Sequence, residues 1–173
     1  MPMSTTLFAI SAEKLAELKK KPDGIMKLDS KDTYNTYLWT SIPYFLAPGD
    51  YDDEGDDEDD DDSSASELGS VLSGTDSVDC SRLENGSFYV FEPADVENLS
   101  TLLADVDVAE IKERVLEAEL EEVCDGEVWE ELEQQDLSEP KEVAKAVVED
   151  LKRLRKFYAD VAKKKLALVG YTT

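Results

Sequence analysis

The sequence predicts an α+β domain. Its expected form is a small mixed sheet including the N- and C-terminal strands, covered by several helices, with a long C-terminal helix. Three observations predict it. Thr5–Ile10 and Leu166–Tyr171 are short, continuously apolar runs, the pattern of strands covered on both faces. Val143, Val147, Leu151, Leu154, Tyr158 and Val161 step by three and four, which lays one apolar stripe along a helix. Between these ends the apolar pattern switches irregularly between the strand and helix periods.

The elements follow in order. After Thr5–Ile10, Ser11 is placed to cap a helix through Leu15 and Leu18. Lys19, Lys20 and Lys21 suit its negative end, and Pro22-Asp23-Gly24 stops it. The segment from Leu28 to Leu46 is dense in aromatics, and Leu38, Ile42, Phe45 and Leu46 share one helical face that Pro43 would kink or cut. Ser70–Thr75 reads as a short edge strand ending in a turn. Glu84-Asn85-Gly86 is a second turn leading into the strand Ser87–Phe91. Pro93 then opens a helix carrying Val96, Leu99 and Leu103, and a further helix places Val108, Ile111, Val115 and Val123 inward before Asp125-Gly126 closes it. Trp129 anchors the acidic segment around it to the body. In the last helix Ser138 caps and Pro140 sits in the first turn; extended to about Lys164 it is roughly 39 Å long. Its two flanking apolar runs are expected to be sheet neighbours.

Charge separates one segment from the rest. Asp50, Asp52, Asp53, Glu54, Asp56 to Asp57, Glu58 and Asp59 to Asp62 follow Pro48-Gly49, within a chain of net charge −24. This composition cannot bury enough apolar surface to offset its ordering entropy, so residues of about 50–67 are expected to form a flexible acidic loop in a single domain spanning 1–173. Asp50, Asp52, Glu54, Gly55, Asp56, Glu58 and Asp61 nearly match a calcium-binding loop. Glu54 and Asp61 depart from that pattern, and an Asp-rich run matches it by chance. Diffuse divalent binding is the simpler expectation; Asp50, Asp52, Glu54, Asp56 and Asp61 are the ligand set if a specific site exists.

The totals exclude several mechanisms. The chain has no His, which removes Ser-His-Asp and Cys-His catalysis and imidazole zinc sites. Cys80 and Cys124 form no CxxC pair and are expected to be reduced, partly buried thiols. The acidic surface repels phosphate backbones and anionic lipid, so neither nucleic acid nor membrane is an expected partner. The apolar run Leu7–Ile10 is too short for a signal peptide or a membrane span, which makes the cytoplasm the expected location.

The order of motifs resembles the YfbM-like family, bacterial proteins grouped as a domain of unknown function. An apolar first strand runs into a short acidic helix at Leu7 to Leu18. A Trp-centred motif of the form aWxxlxxLL is matched by Leu38-Trp39-Thr40-Ser41-Ile42-Pro43-Tyr44-Phe45-Leu46. Leu72-Ser73-Gly74, then Phe88 to Val96, resemble the family's Leu-x-Gly stretch, strand and helix. Leu154 to Tyr158 and Leu166 to Tyr171 resemble its ending. Family members often carry His beside the Trp motif, where this chain has Thr40 and Pro43. The resemblance implies a fold and no chemistry.

Two functional readings remain. The first is a non-catalytic module that docks a basic protein, with an immunity protein neutralising a basic toxin as its most specific form. Its candidate binding residues are Trp39, Tyr44 and Tyr37 together with Asp52, Asp53, Asp56 and Asp57; the aromatics either wall a pocket or fill the core. The alternative is a hydrolase using carboxylates with a divalent metal. No Gly-rich phosphate loop, nucleophile elbow or metal-ligand spacing supports it, so no catalytic residue and no cofactor is assigned. A nucleic-acid mimic would require ordered acids at regular spacing. Oligomeric state is left open.

Overall fold

The structure is a computed structural model that describes residues 3–47, 67–120 and 126–173. Five strands form one sheet: β1 (Thr5–Ile10), β2 (Thr33–Thr36), β3 (Asp76–Asp79), β4 (Ser87–Phe91) and β5 (Ala167–Thr172). Their spatial order is β2-β1-β5-β4-β3. Every pairing is antiparallel, so the sheet expected to be mixed is antiparallel throughout. The described helices include α1 (Ala12–Lys20), α2 (Ser41–Leu46), α3 (Pro93–Asp105), α4 (Val108–Glu117), α5 (Gly126–Gln134) and α6 (Pro140–Lys163). None is long and apolar enough to cross a membrane.

The terminal strands are neighbours, as their composition predicts. Thr5 to Ile10 pair with Thr172 to Ala167 at the centre of the sheet. Both are apolar on alternate and intervening positions because both sheet faces are covered. Leu7, Ala9, Phe91 and Leu168 face a large core shared with α2 to α6. Phe8, Ile10, Phe88, Val90 and Val169 face a smaller core closed by α1 and the 3-10 helix Pro22–Lys27. Helix α6 has 24 residues, and α3 and α4 both pack against it. Its stripe from Val143 to Val161 is buried, and the Tyr158 hydroxyl donates to the Val71 carbonyl at 2.6 Å. The chain reverses out of α6 through Lys165, which adopts positive φ (55°), while the Leu166 N–H closes back onto the Val161 carbonyl at 3.2 Å.

Several expectations are corrected. Ser70–Thr75 forms no strand: Val71 and Leu72 lie in turns whose side chains enter the core, and Gly74 at φ 78° redirects the chain. The edge strand begins one residue after Thr75, at Asp76. A side chain at Gly74 would stand 3.0 Å from the Val90 carbonyl oxygen, so the turn is pressed against β4. Helix α4 ends at Glu117, and Gly126 lies within α5 rather than closing the preceding helix; Val123 and Cys124 lie outside the described residues. Ser138 does not cap α6: Glu139 occupies the N-cap position and makes no side-chain cap bond. Leu38 lies outside the helix it was expected to join, because α2 starts only at Ser41. Pro43 is then in the first turn, where the missing N–H costs nothing.

Candidate functional site

The candidate site begins with strand alternation that outlasts the strand. Along β2 and beyond it, Tyr34, Thr36 and Leu38 are buried while Thr33, Asn35 and Tyr37 are exposed. The chain then turns into α2, whose six residues are all buried. Trp39 stands at this junction, half-buried against the large core.

A buried carboxylate fixes the junction. Glu131 lies on the inward stripe of α5 with Val128 and Leu132, and it is only 7% exposed. Its Oε1 accepts the Thr40 N–H at 2.9 Å and its Oε2 the Ser41 N–H at 2.8 Å. The Ser41 hydroxyl donates to the same carboxylate. These N–H groups start a helix and have no partner within it, so Glu131 caps α2 from a distant part of the chain. Burial pushes the carboxyl above its ordinary range, while the bonds from Ser41 and Thr40 pull the other way.

A second polar group ties β2 to α6. Buried Asp150 accepts from the Thr36 hydroxyl and, at 2.7 Å, from Arg153 Nη1. The Thr36 oxygen itself accepts the Leu38 N–H at 2.9 Å. Arg153 also lies 5.3 Å from the centroid of the Tyr34 ring, and the Phe157 ring packs against the same ring, centroid to centroid 5.7 Å. Burial, then the Asp150 charge, pushes the Tyr34 hydroxyl far above its ordinary ionisation range. Arg153 therefore supplies local counter-charge within the acidic body.

Around Trp39 the surface opens. A cleft of about 180 Å³ is lined by Met3, Tyr37, Trp39, Glu127, Glu130 and Glu131. Tyr37 is 48% exposed, and Glu127 and Glu130 are exposed on α5. Among the described residues no cation forms an ion pair with either glutamate. An aromatic wall beside unneutralised carboxylates can hold a cationic side chain by cation–π contact and charge.

The expected site residues separate here. Tyr37 and Trp39 line the cleft together. Tyr44 does not: it is buried, with its ring edge-to-face on Phe45 at 5.1 Å. Asp50, Asp52, Asp53, Glu54, Asp56, Asp57 and Asp61 lie outside the described residues. Among the described residues no three His, Cys, Asp or Glu side chains converge to hold a metal ion. Cys80 is a buried free thiol. The residues that sequence reasoning missed are Glu127, Glu130 and Glu131. Their helical spacing was readable, but nothing in the sequence marks which of many glutamates faces Trp39.

The architecture defines the chain as an α+β protein with a central antiparallel sheet whose terminal strands pair, closed on one face by a long C-terminal helix. The family model for Domain of unknown function (DUF1877) matches residues 1–171, and the chain belongs to that family. Among solved structures, the protein of unknown function YfbM from Escherichia coli is similar in fold. It has a TM-score of 0.64 at 16% identity, over 98% of this chain and 99% of that one. No curated protein matches the chain.

Proposed function

We propose that this protein is a non-catalytic binding module that docks a basic protein through the cleft at Tyr37 and Trp39. The observation that carries the reading is the pairing of accessible aromatic rings with Glu127 and Glu130, carboxylates without an ion-pair partner among the described residues. A lysine or arginine side chain fits both features: its stem packs on the rings and its charge meets the carboxylates. The net charge of −24 steers such a partner toward the surface. Neutralisation of a cationic toxin is the most specific form of this reading.

A lysine-rich peptide tests the docking site by calorimetry at low and high salt. Trp39→Ala and the double variant Glu127→Gln/Glu130→Gln should each weaken binding about tenfold, the loss of one cation–π contact or of two partly screened charges. Equal affinities for all three proteins would refute the site. The immunity form is tested by co-expressing the protein with the product of its neighbouring gene; growth that does not depend on Trp39 would refute it.

A further inference from the structure

The sheet ends at β2, and the hydrogen-bonding direction of its outer edge follows from the register. The Ala9 N–H donates to the Asp32 carbonyl at 2.9 Å, and the pairing continues Phe8↔Thr33, Leu7↔Tyr34, Thr6↔Asn35. In an antiparallel ladder the bonded pairs alternate, so Tyr34 and Thr36 bond inward to β1 while Thr33 and Asn35 turn their backbone groups outward. Both residues are exposed. The Asn35 carbonyl is taken by Arg153 Nη2 at 3.1 Å. Among the described residues the Thr33 N–H and C=O and the Asn35 N–H have no protein partner.

On β3 the same reasoning turns Ser77 and Asp79 outward, and the Ser77 N–H is occupied by the Asp76 carboxylate at 2.8 Å. What sets the β2 edge apart is the cleft that runs beside it toward Trp39. Unpaired backbone groups on a strand edge are templates for pairing with another strand.

A trough follows the open edge. Between β2 and α6 lies a cleft of about 310 Å³ that includes Thr33, Arg153 and Phe157. Beyond Arg153 it continues as a cleft of about 460 Å³ along Asn35, Tyr37 and Leu137. Tyr37 and Gln135 are shared with the Trp39 cleft. From Thr33 to Trp39 an extended chain spans roughly 20 Å, the length of about six residues.

We propose that β2 is a docking strand: an extended segment of the basic partner adds to the sheet at Thr33 and Asn35 and places a lysine or arginine in the Trp39 cleft. This rests on the docking reading above and supplies its backbone half. The incoming strand takes the Asn35 carbonyl from Arg153, whose other nitrogen keeps its bond to Asp150. The charges along the edge itself, Lys31, Asp32, Arg153, Lys156 and Asp160, nearly balance, so Glu127 and Glu130 at the Trp39 end select a cationic side chain, while two copies of a chain at −24 repel each other. Main-chain bonds then supply affinity and the cleft supplies selectivity.

The test uses an eight-residue peptide of alternating lysine and valine, with two versions of equal charge N-methylated on one or the other set of alternate amides. The parent peptide should slow amide exchange at Thr33 and Asn35. One methylated version should bind at least about tenfold more weakly while the other retains affinity, because only one peptide edge faces β2. Asn35→Pro, which removes the outward N–H, should weaken the parent by a similar factor with an unchanged far-ultraviolet spectrum. If both methylated versions bind like the parent while Trp39→Ala still weakens binding, strand addition is wrong and the cleft reading survives. If the parent leaves both Thr33 and the Trp39 indole resonance unmoved, both readings fall. A dimer in sedimentation that Asn35→Pro abolishes would assign the edge to a second copy and overturn the proposal.

Discussion

Removing the Glu131 carboxylate should cost more stability than any single surface charge. In Glu131→Ala the N–H groups of Thr40 and Ser41 lose their acceptor at a buried helix start. Each orphaned buried donor costs about 1–3 kcal/mol. Relief from burying a charge returns part of that, leaving a net loss of about 2–4 kcal/mol. For a domain of this length each kcal/mol moves the melting midpoint by roughly 2–4 °C, so a fall of about 5–15 °C is expected in thermal unfolding. Glu131→Gln retains one acceptor and should fall between the variant and the wild type. The pH dependence has a definite sign. Folding raises this carboxyl above its ordinary value of 4.5, so the folded chain holds the proton more tightly than the unfolded chain. That stability is complete below the unfolded value and is lost as pH rises through the folded one. The stability of wild type relative to Glu131→Gln should therefore decline as pH rises above about 4.5 and then level off. A Glu131→Ala protein that melts with the wild type, or a difference that grows with pH, would refute the reasoning.

Three further outcomes follow from the packing. Gly170→Ala should destabilise by about 1–3 kcal/mol in urea unfolding, because the added methyl would sit 2.4 Å from Leu7 Cδ2 and 2.9 Å from the Thr6 carbonyl oxygen. Tyr158→Phe leaves the Val71 carbonyl without its donor and should cost about 1–3 kcal/mol with no change in fold by circular dichroism. Asp150→Asn separates Arg153 from its carboxylate; Arg153 is 61% exposed, so water recovers much of the charge and a loss of about 1–2 kcal/mol in the same assay is expected.

Much of the fold was legible where one physical signal dominated. Leu7–Ile10 and Leu166–Val169 are apolar at every position, and that pattern requires cover on both faces, which places them at the sheet centre. The α6 stripe repeats over enough turns to exclude other structures. Legibility failed where signals overlapped. Between Thr33 and Leu46 a strand period passes into a helix period within a few residues, and Leu38 belongs to both patterns. Tyr34-Thr36-Leu38 carried the strand signal, but the helical match of Leu38 with Ile42 and Phe45 obscured it. At Ser70–Thr75, apolar Val71 and Leu72 fit a strand locally; Gly74 lying against β4 determines the turn instead.

The site was legible only in part. Tyr37 and Trp39 stand in the cleft, but Tyr44, in the same motif, is buried against Phe45 because α2 presents every residue to the core. No pattern within the sequence pairs Thr40 and Ser41 with Glu131, about ninety residues away. That contact arises because α5 packs its inward stripe against the start of α2.

The sequence by itself determined the acidity, the absence of imidazole chemistry, the central pair of strands and the long helix, since composition and periodicity are local properties. Only the tertiary structure decided which glutamates face Trp39 and which strand edge lies beside the cleft that leads to it. Both depend on which distant elements meet, and the free energy of that meeting belongs to no single stretch of chain.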